Sequence, residues 1–223
     1  MAKIAFIGLG AMGSGMAAVL ADKGHEVSAY DLNPEAMAKA AAAGCGAAAT
    51  IADAVKDADF IITMLPNANI VNAVYAGDDG VFRHAKPNAL LIDCSTIGVS
   101  DARHLGEDAR SRGFDFIDAP VSGGVAAAAA GTLAFMVGAS ETQFARAQII
   151  LQDMAKAVIH AGDIGAGQAA KLCNNMLLAS SMIATCESFI LAEKLGLDAK
   201  IFFDIASQSS GQNWSLTSYA PVK

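Results

Sequence analysis

Three short segments hold residues whose types and spacing could do chemistry. The first is GAGQAAKLCNN, Gly165 to Asn175, where Lys171 and Asn175 stand four apart and so share one face of a helix. Their neighbours are apolar. A lysine in such surroundings loses its charge readily, which suits it to take and return a proton near neutral pH. Spacing alone fits a solvated lysine and a core-satisfying asparagine equally well. The second segment is PVSGG, Pro120 to Gly124. Ser122 offers a hydroxyl, and Gly123 and Gly124 offer consecutive N–H groups that can cradle a carboxylate. The same residue types also favour an ordinary turn. The third is GLGAMG, with Gly8, Gly10 and Gly13 at the spacing G-x-G-x-x-G.

The third segment has a full context. IAFI, Ile4 to Ile7, reads as a short buried strand before it, and Ala17 to Lys23 reads as a helix after it. The run VSAYD then ends on Asp31, 18 residues beyond Gly13. In such a unit the first glycine allows the tight turn, the second lets a pyrophosphate approach the backbone, and the third lets helix and strand pack closely. The free N–H groups and positive dipole end of the helix favour phosphates. A carboxylate at the tip of the second strand can accept bonds from both adenosine ribose hydroxyls and would repel a 2′-phosphate. Asp31 therefore points to NAD rather than NADP, and Gly8, Leu9, Gly10, Ala11, Met12 and Gly13 are the expected cofactor loop. Strand, glycines, helix, second strand and acid in this order are far more specific than the glycines alone.

The elements that must position these segments follow from periodicity. Apolar runs at Ile4–Ile7, Val27–Tyr30, Phe60–Thr63, Leu90–Asp93, Phe114–Ala119 and Ala134–Val137 read as strands, with a further short one near Val158–His160. Helical stretches at Met12–Lys23, Pro34–Ala43, Ile51–Lys56, Asn69–Tyr75, Ser100–Arg112 and Glu141–Met154 alternate with them, the pattern of a mostly parallel sheet. Asn33, Ser100 and Ser140 are the expected N-caps. Ligands of open α/β sheets bind beyond the carboxyl ends of the strands. Two turns there, MLPN (Met64–Asn67) and DCST (Asp93–Thr96), face that edge, and Thr96 is either near the cofactor or a helix cap. The segment AAAAAG, Ala126 to Gly131, is a short helix or an exposed loop. From Ile164 strand signals stop. A long helix of about 165–194 follows, with Gly196 beyond its end, and Asp198 caps another helix reaching Ser207. The expected division is 1–163, a dinucleotide-binding domain, and 164–223, the start of an all-helical domain.

Composition narrows the function classes. The chain has 223 residues, 54% apolar, with net charge −7 and a pI near 4.9. An acidic surface argues against a nucleic-acid partner or an anionic membrane. The apolar stretch Leu172–Ala192 is broken by Asn174, Asn175, Ser180, Ser181, Thr185 and Glu187, so it is expected to be a buried helix rather than a membrane span. Cys45, Cys94, Cys173 and Cys186 form no CxxC pair, which suits a reducing compartment. Cys173 is expected to be a buried small hydrophobe. No leader is read before the first strand, so a cytoplasmic location is expected, or a mitochondrial one if a transit peptide has been removed. His25, His84, His104 and His160 form no ligand motif, and no metal is expected.

Together the three motifs resemble those of the β-hydroxyacid dehydrogenase family. FIGLGAMGSGM is similar to its cofactor signature, DAPVSGG to its substrate loop and GAGQAAKLCNNMLL to its catalytic helix. AKLCNNMLLASSMI and SSGQNWSLTSYAPV (Ser209–Val222) resemble its 3-hydroxyisobutyrate dehydrogenase branch. The resemblance implies a Rossmann-type domain followed by a helical domain, with NAD as cofactor. It also implies a small 3-hydroxy acid as substrate, oxidised reversibly at its primary alcohol. It makes Lys171 the acid/base catalyst with Asn175 beside it. Ser122, Gly123, Gly124 and Asn175 become substrate contacts, and Asp31, Leu65, Pro66 and Thr96 cofactor contacts. Family members run on past Lys223, so the helical domain is expected to be incomplete here. An Ala- and Met-rich second domain suggests a homodimer or homotetramer. The rival readings are a sister reductase of tartronate, succinic or glyoxylic semialdehyde, and an NAD-binding module without turnover.

Overall fold

The computed structural model describes residues 1–220; the Pro221 and Val222 of the SSGQNWSLTSYAPV segment lie outside the described residues, as does Lys223. The elements run β1 (Lys3–Ile7), α1 (Gly13–Asp22), β2 (Glu26–Tyr30), α2 (Pro34–Ala42), β3 (Gly46–Ala47), α3 (Ile51–Val55), β4 (Phe60–Thr63), α4 (Ala68–Ala76), α5 (Val81–His84) and β5 (Leu90–Asp93). They continue with α6 (Val99–Ser111), β6 (Asp115–Asp118), β7 (Val121–Ser122), α7 (Gly124–Ala130), β8 (Leu133–Gly138), α8 (Glu141–Leu151), β9 (Ala155–Gly162), α9 (Ala166–Lys194), α10 (Ala199–Ser207) and α11 (Trp214–Tyr219).

The nine strands among the described residues form one sheet in the order β3-β2-β1-β4-β5-β6-β8-β7, with β9 on β8. From β3 to β6 every pair is parallel. That order reverses direction between β1 and β4, the switch point where such sheets open a crevice for a dinucleotide. Strand periodicity assigns alternate residues to opposite faces. Phe6, Phe60, Ile62, Leu90 and Ile92 join the core under α1, α2, α7 and α8. Ala5, Ile7, Ile61 and Leu91 join the one under α3, α4, α5 and α6. Both faces are covered, so β4 and β5 are buried along their whole length. Each large aliphatic side chain buried in this way contributes roughly 1.5–3 kcal/mol.

Local signals account for most element ends. Asn33 caps α2 by accepting the Glu35 N–H, with Pro34 at the first helical position. Ser140 caps α8 in a reciprocal box with Gln143. Ser100 does not cap α6: the helix begins at Val99, and Gly98 is its N-cap without a side-chain bond. The earlier start leaves Ser100 inside the first turn, where its hydroxyl cannot reach the N–H groups that a cap serves. Residues 114–122 also differ from a single strand. Pro120 interrupts the run, and Val121–Ser122 pairs antiparallel with β8. Pro120 has no N–H to give a ladder, but its carbonyl accepts from Met136 N–H at 3.0 Å. β9 spans eight residues rather than three, and Gly124–Ala130 is helical.

The chain separates into two units, Met1–Lys171 and Leu172–Lys223. Within the second, Asp198 caps α10 and Asn213 caps α11. Thr185 and Asn213 bond to each other beside a cavity of about 430 Å³ lined by Phe202, Ile205 and Leu216. The apolar residues of α9 are not buried as expected. Leu172, Met176, Leu177, Ile183, Ile190 and Leu191 are all more than half exposed. Cys173 is likewise exposed rather than buried. By length and composition alone, α9 is the one helix among the described residues that could cross a membrane.

Candidate active site

The crevice begins where β1 ends. Gly8 has φ +97°, and a Cβ there would collide with the Met64 carbonyl and press on Leu65. Gly13 packs so tightly on Gly8 that a Cβ would strike its carbonyl. At Gly10, by contrast, no heavy atom of the described residues other than Gly10 and its chain neighbours lies within 4 Å of where a Cβ would stand. The loop is therefore closed on its sheet side and open on its outer side, as a pyrophosphate requires. Asp31, at the tip of β2 and partly exposed, steadies this loop. Its Oδ2 accepts the Leu9 N–H at 2.7 Å, and its Oδ1 accepts the Asn33 N–H at 2.8 Å. A carboxylate has about four acceptor positions, so capacity remains for ribose hydroxyls.

Next to it the sheet edge carries a row of buried polar residues. Thr63, Asp93 and Asp118 are the last residues of β4, β5 and β6, opposite one another in register. All three are fully buried. Asp93 Oδ1 accepts from Thr63 Oγ1 at 2.8 Å and from Ser95 Oγ at 2.6 Å. Ser95 Oγ in turn accepts the Leu65 N–H at 2.9 Å. Thr63 also bonds the buried Tyr75 hydroxyl. Among the described residues Asp93 Oδ2 has no hydrogen-bond partner. Burial pushes the Asp93 carboxyl up to about 6 against the bonds from Ser95 and Thr63.

Asp118 receives the long helix. Its Oδ1 accepts the Gly165 N–H at 2.6 Å and its Oδ2 the Gln168 N–H at 2.8 Å. It thus satisfies orphan donors at the start of α9 with a charge that the helix dipole favours. Burial pushes its carboxyl up, and those backbone bonds oppose the shift. Gln168, also fully buried, turns its side chain to the β5 loop. Its Nε2 donates to Ser95 O at 2.8 Å, and its Oε1 accepts the Ile97 N–H at 3.2 Å. Lys171 follows one turn later. It is half-buried, and burial alone lowers its pKa below the ordinary lysine value.

The residues singled out from sequence are placed as follows. Gly8 to Gly13, Asp31, Leu65 and Thr96 lie in the segments that follow β1, β2, β4 and β5 in the first unit, with Leu9 bonded to Asp31 and Leu65 bonded to Ser95 beside Thr96. Pro66 and Thr96 are exposed. Thr96 caps nothing, because α6 starts beyond Gly98. Ser122 ends β7, half-buried, and Gly123 and Gly124 open α7, both exposed and with positive φ. Asn175 lies in the second unit and is exposed. Sequence reasoning passed over Thr63, Asp93, Asp118 and Gln168. Their signal was an acid closing an apolar run, in LLID and DFID, together with a glutamine in the helix start GAGQ. His25 and His160 are structural: the first bonds Ala2 N–H and Asp153, the second Ala139 O. Among the described residues no cluster of His, Cys, Asp and Glu could hold a metal ion.

Residues 3–162 match the family model described as the NAD binding domain of 6-phosphogluconate dehydrogenase. Residues 165–223 match the model described as NAD-binding of NADP-dependent 3-hydroxyisobutyrate dehydrogenase. The 3-hydroxyisobutyrate dehydrogenase of Pseudomonas aeruginosa is 46% identical over 221 residues, 99% of this chain and 74% of that protein. The NAD-dependent L-serine dehydrogenase of the same organism shows the same identity and coverage. The structure of Mycobacterium tuberculosis 3-hydroxyisobutyrate dehydrogenase with L-serine superposes with a TM-score of 0.94 at 48% identity, covering 100% of this chain and 76% of that one. The chain thus spans about three quarters of its relatives' length. An open glycine loop backed by an acid and a buried helix start bearing a half-desolvated lysine agree with these likenesses, and the chain belongs to the 3-hydroxyisobutyrate dehydrogenase family of NAD-dependent oxidoreductases acting on 3-hydroxy acids.

Proposed function

We propose that the protein reversibly oxidises 3-hydroxyisobutyrate to methylmalonate semialdehyde, a step of valine breakdown. The observation that carries this reading is Lys171, half-buried with a lowered pKa on a helix pinned to the strand ends. Bound NAD supplies a hydride acceptor at its nicotinamide. The first-unit loop at Gly8–Gly13 and Asp31 holds the dinucleotide, with Leu65, Pro66 and Thr96 along its path. Ser122 Oγ and the N–H groups of Gly123 and Gly124 grip the substrate carboxylate. That leaves the C3 hydroxyl for Lys171, whose neutral amine takes the hydroxyl proton during oxidation and returns it during reduction. Asn175, four residues on, keeps the hydroxyl or the amine in line. Depression of the Lys171 pKa makes the neutral amine available at lower pH than an ordinary lysine would allow. We place the enzyme in the cytoplasm as a homodimer or homotetramer, since the exposed apolar residues of the second unit suit self-association.

L-serine is the second reading. It shares the carboxylate and primary alcohol and differs at C2, where an ammonium replaces a methyl. A relative at 46% identity is named for it, and a neighbouring structure holds it. The test is steady-state kcat/KM of the full-length protein with NAD on 3-hydroxyisobutyrate and L-serine, and with NADH on the reverse substrates tartronate, succinic and glyoxylic semialdehyde. The expected order places 3-hydroxyisobutyrate first by about tenfold, roughly the discrimination that one methyl group gives. A reversed ratio transfers the assignment to serine. NAD binding without turnover on the whole panel identifies a non-catalytic module.

A further inference from the structure

Gln168 is bound twice over at the sheet edge. Its main-chain N–H goes to Asp118 at the end of β6. Its side-chain amide donates to Ser95 O and accepts from Ile97 N–H, so it brackets Thr96 as a paired strand would. Ser95 Oγ also accepts the Leu65 N–H. One fully buried side chain therefore ties the turn carrying Lys171 to the loop after β5, and through Ser95 to the loop after β4, within the first unit. Lys171 follows three residues later, about 4.5 Å further along the helix axis. No catalytic or binding step in the mechanism uses Gln168, yet burying a primary amide costs free energy unless both of its ends are bonded. Both are bonded here, and both partners flank a single exposed residue.

We propose that Gln168 is a positioning residue that sets the distance between Lys171 and the Thr96 loop, and so between the proton acceptor and the cofactor-binding edge. The inference rests on the reading of Lys171 as the proton carrier. Misplacement of a reacting group by about 1 Å can cost about 10²-fold in rate, which is the scale of effect available to such a clamp.

The experiment compares Gln168→Met, which fills the volume without either bond, and Gln168→Glu, which keeps an acceptor for Ile97 N–H but repels the Ser95 carbonyl. Lys171→Ala runs beside them in the full-length protein. Three quantities are read: the pH profile of kcat, NADH affinity by fluorescence titration without substrate, and the unfolding midpoint. The Met variant should lose about 10- to 100-fold in kcat. Its pH limb should move toward the ordinary lysine value as water reaches the loosened turn, and its NADH affinity should weaken about threefold to tenfold as the Thr96 loop loses its anchor. The Glu variant should fall in the same direction. A merely structural glutamine would lower the unfolding midpoint and leave pH limb and NADH affinity in place, and that outcome overturns the inference. Wild-type kcat in the Met variant, beside an inactive Lys171→Ala, sinks this inference alone. Undiminished turnover in Lys171→Ala sinks both it and the reading on which it rests. Should the Met variant not fold, the Glu variant decides by the same three quantities.

Discussion

The two halves of the crevice edge are built in opposite ways. At the β1–β2 end the backbone is left open. No heavy atom of the described residues other than Gly10 and its chain neighbours lies within 4 Å of where a Cβ on Gly10 would stand, and Asp31 is partly exposed. At the β5–β6 end everything is filled. Asp93, Asp118 and Gln168 are fully buried, and a Cβ on Gly138 or Gly167 would run into the Asp118 carboxylate. The open end can only bind, because its groups are free to meet a ligand. At the closed end both oxygens of Asp118 are already taken by backbone N–H groups, and Asp93 Oδ1 by the Thr63 and Ser95 hydroxyls. The part of this end is to hold a helix, and on that helix Lys171, the proposed proton carrier.

Lys171→Ala tests this division hardest. Loss of a general acid/base costs roughly 10²–10⁴ in rate, so kcat should fall by that order while NAD still binds at the open end. Lys171→Arg should not rescue, since guanidinium stays protonated. In the wild type the oxidation rate should rise with pH as the Lys171 amine loses its proton. That limb should lie below the ordinary lysine pKa, because burial lowers it, and it should vanish in Lys171→Ala. Near wild-type turnover in the arginine variant would make Lys171 an electrostatic anchor.

Asp118→Asn comes next. The amide is isosteric, but its NH₂ must face either the Gly165 or the Gln168 N–H, leaving one buried donor without an acceptor. The cost should be about 1–3 kcal/mol of stability, read from urea unfolding. The Leu9–Asp31 end should be untouched, so NADH affinity should hardly change. A large loss of NADH affinity with unchanged stability would erase the distinction between the two ends.

The smallest expected effect is at Asp31. Asp31→Ser with Leu32→Arg should weaken NAD use and improve NADP use, each by about tenfold, the worth of roughly one charge-assisted bond. Unchanged preference would mean that Asp31 serves only the Leu9 and Asn33 N–H groups.

The legible parts of the fold were those encoded within a few residues. Six of the strands and the caps at Asn33 and Ser140 follow from alternation and side-chain bonds to the nearest N–H groups. Ser100 misled because Gly98 accommodates the extended cap geometry (φ −64°, ψ 148°) two residues earlier without any side-chain bond. The β6–β7 break hid within an apolar run, because pairing with β8 is a long-range matter. For α9 the sequence indicated an apolar helix, but burial depends on neighbours.

The amino-acid sequence alone determined the order of the main strands and helices, the glycine loop with its acid 18 residues on, and the four-residue spacing of Lys171 and Asn175. These depend on turn geometry and helical or strand period, which are local. Only the tertiary structure decided that Asp118 meets Gly165 and Gln168, 47 and 50 residues away, and that Gln168 meets Ser95, 73 residues away. Such pairings arise when a sheet aligns the ends of β4, β5 and β6 and excludes water there. An acid buried at that edge must then find N–H donors wherever the chain supplies them, and here they come from the helix that carries the lysine.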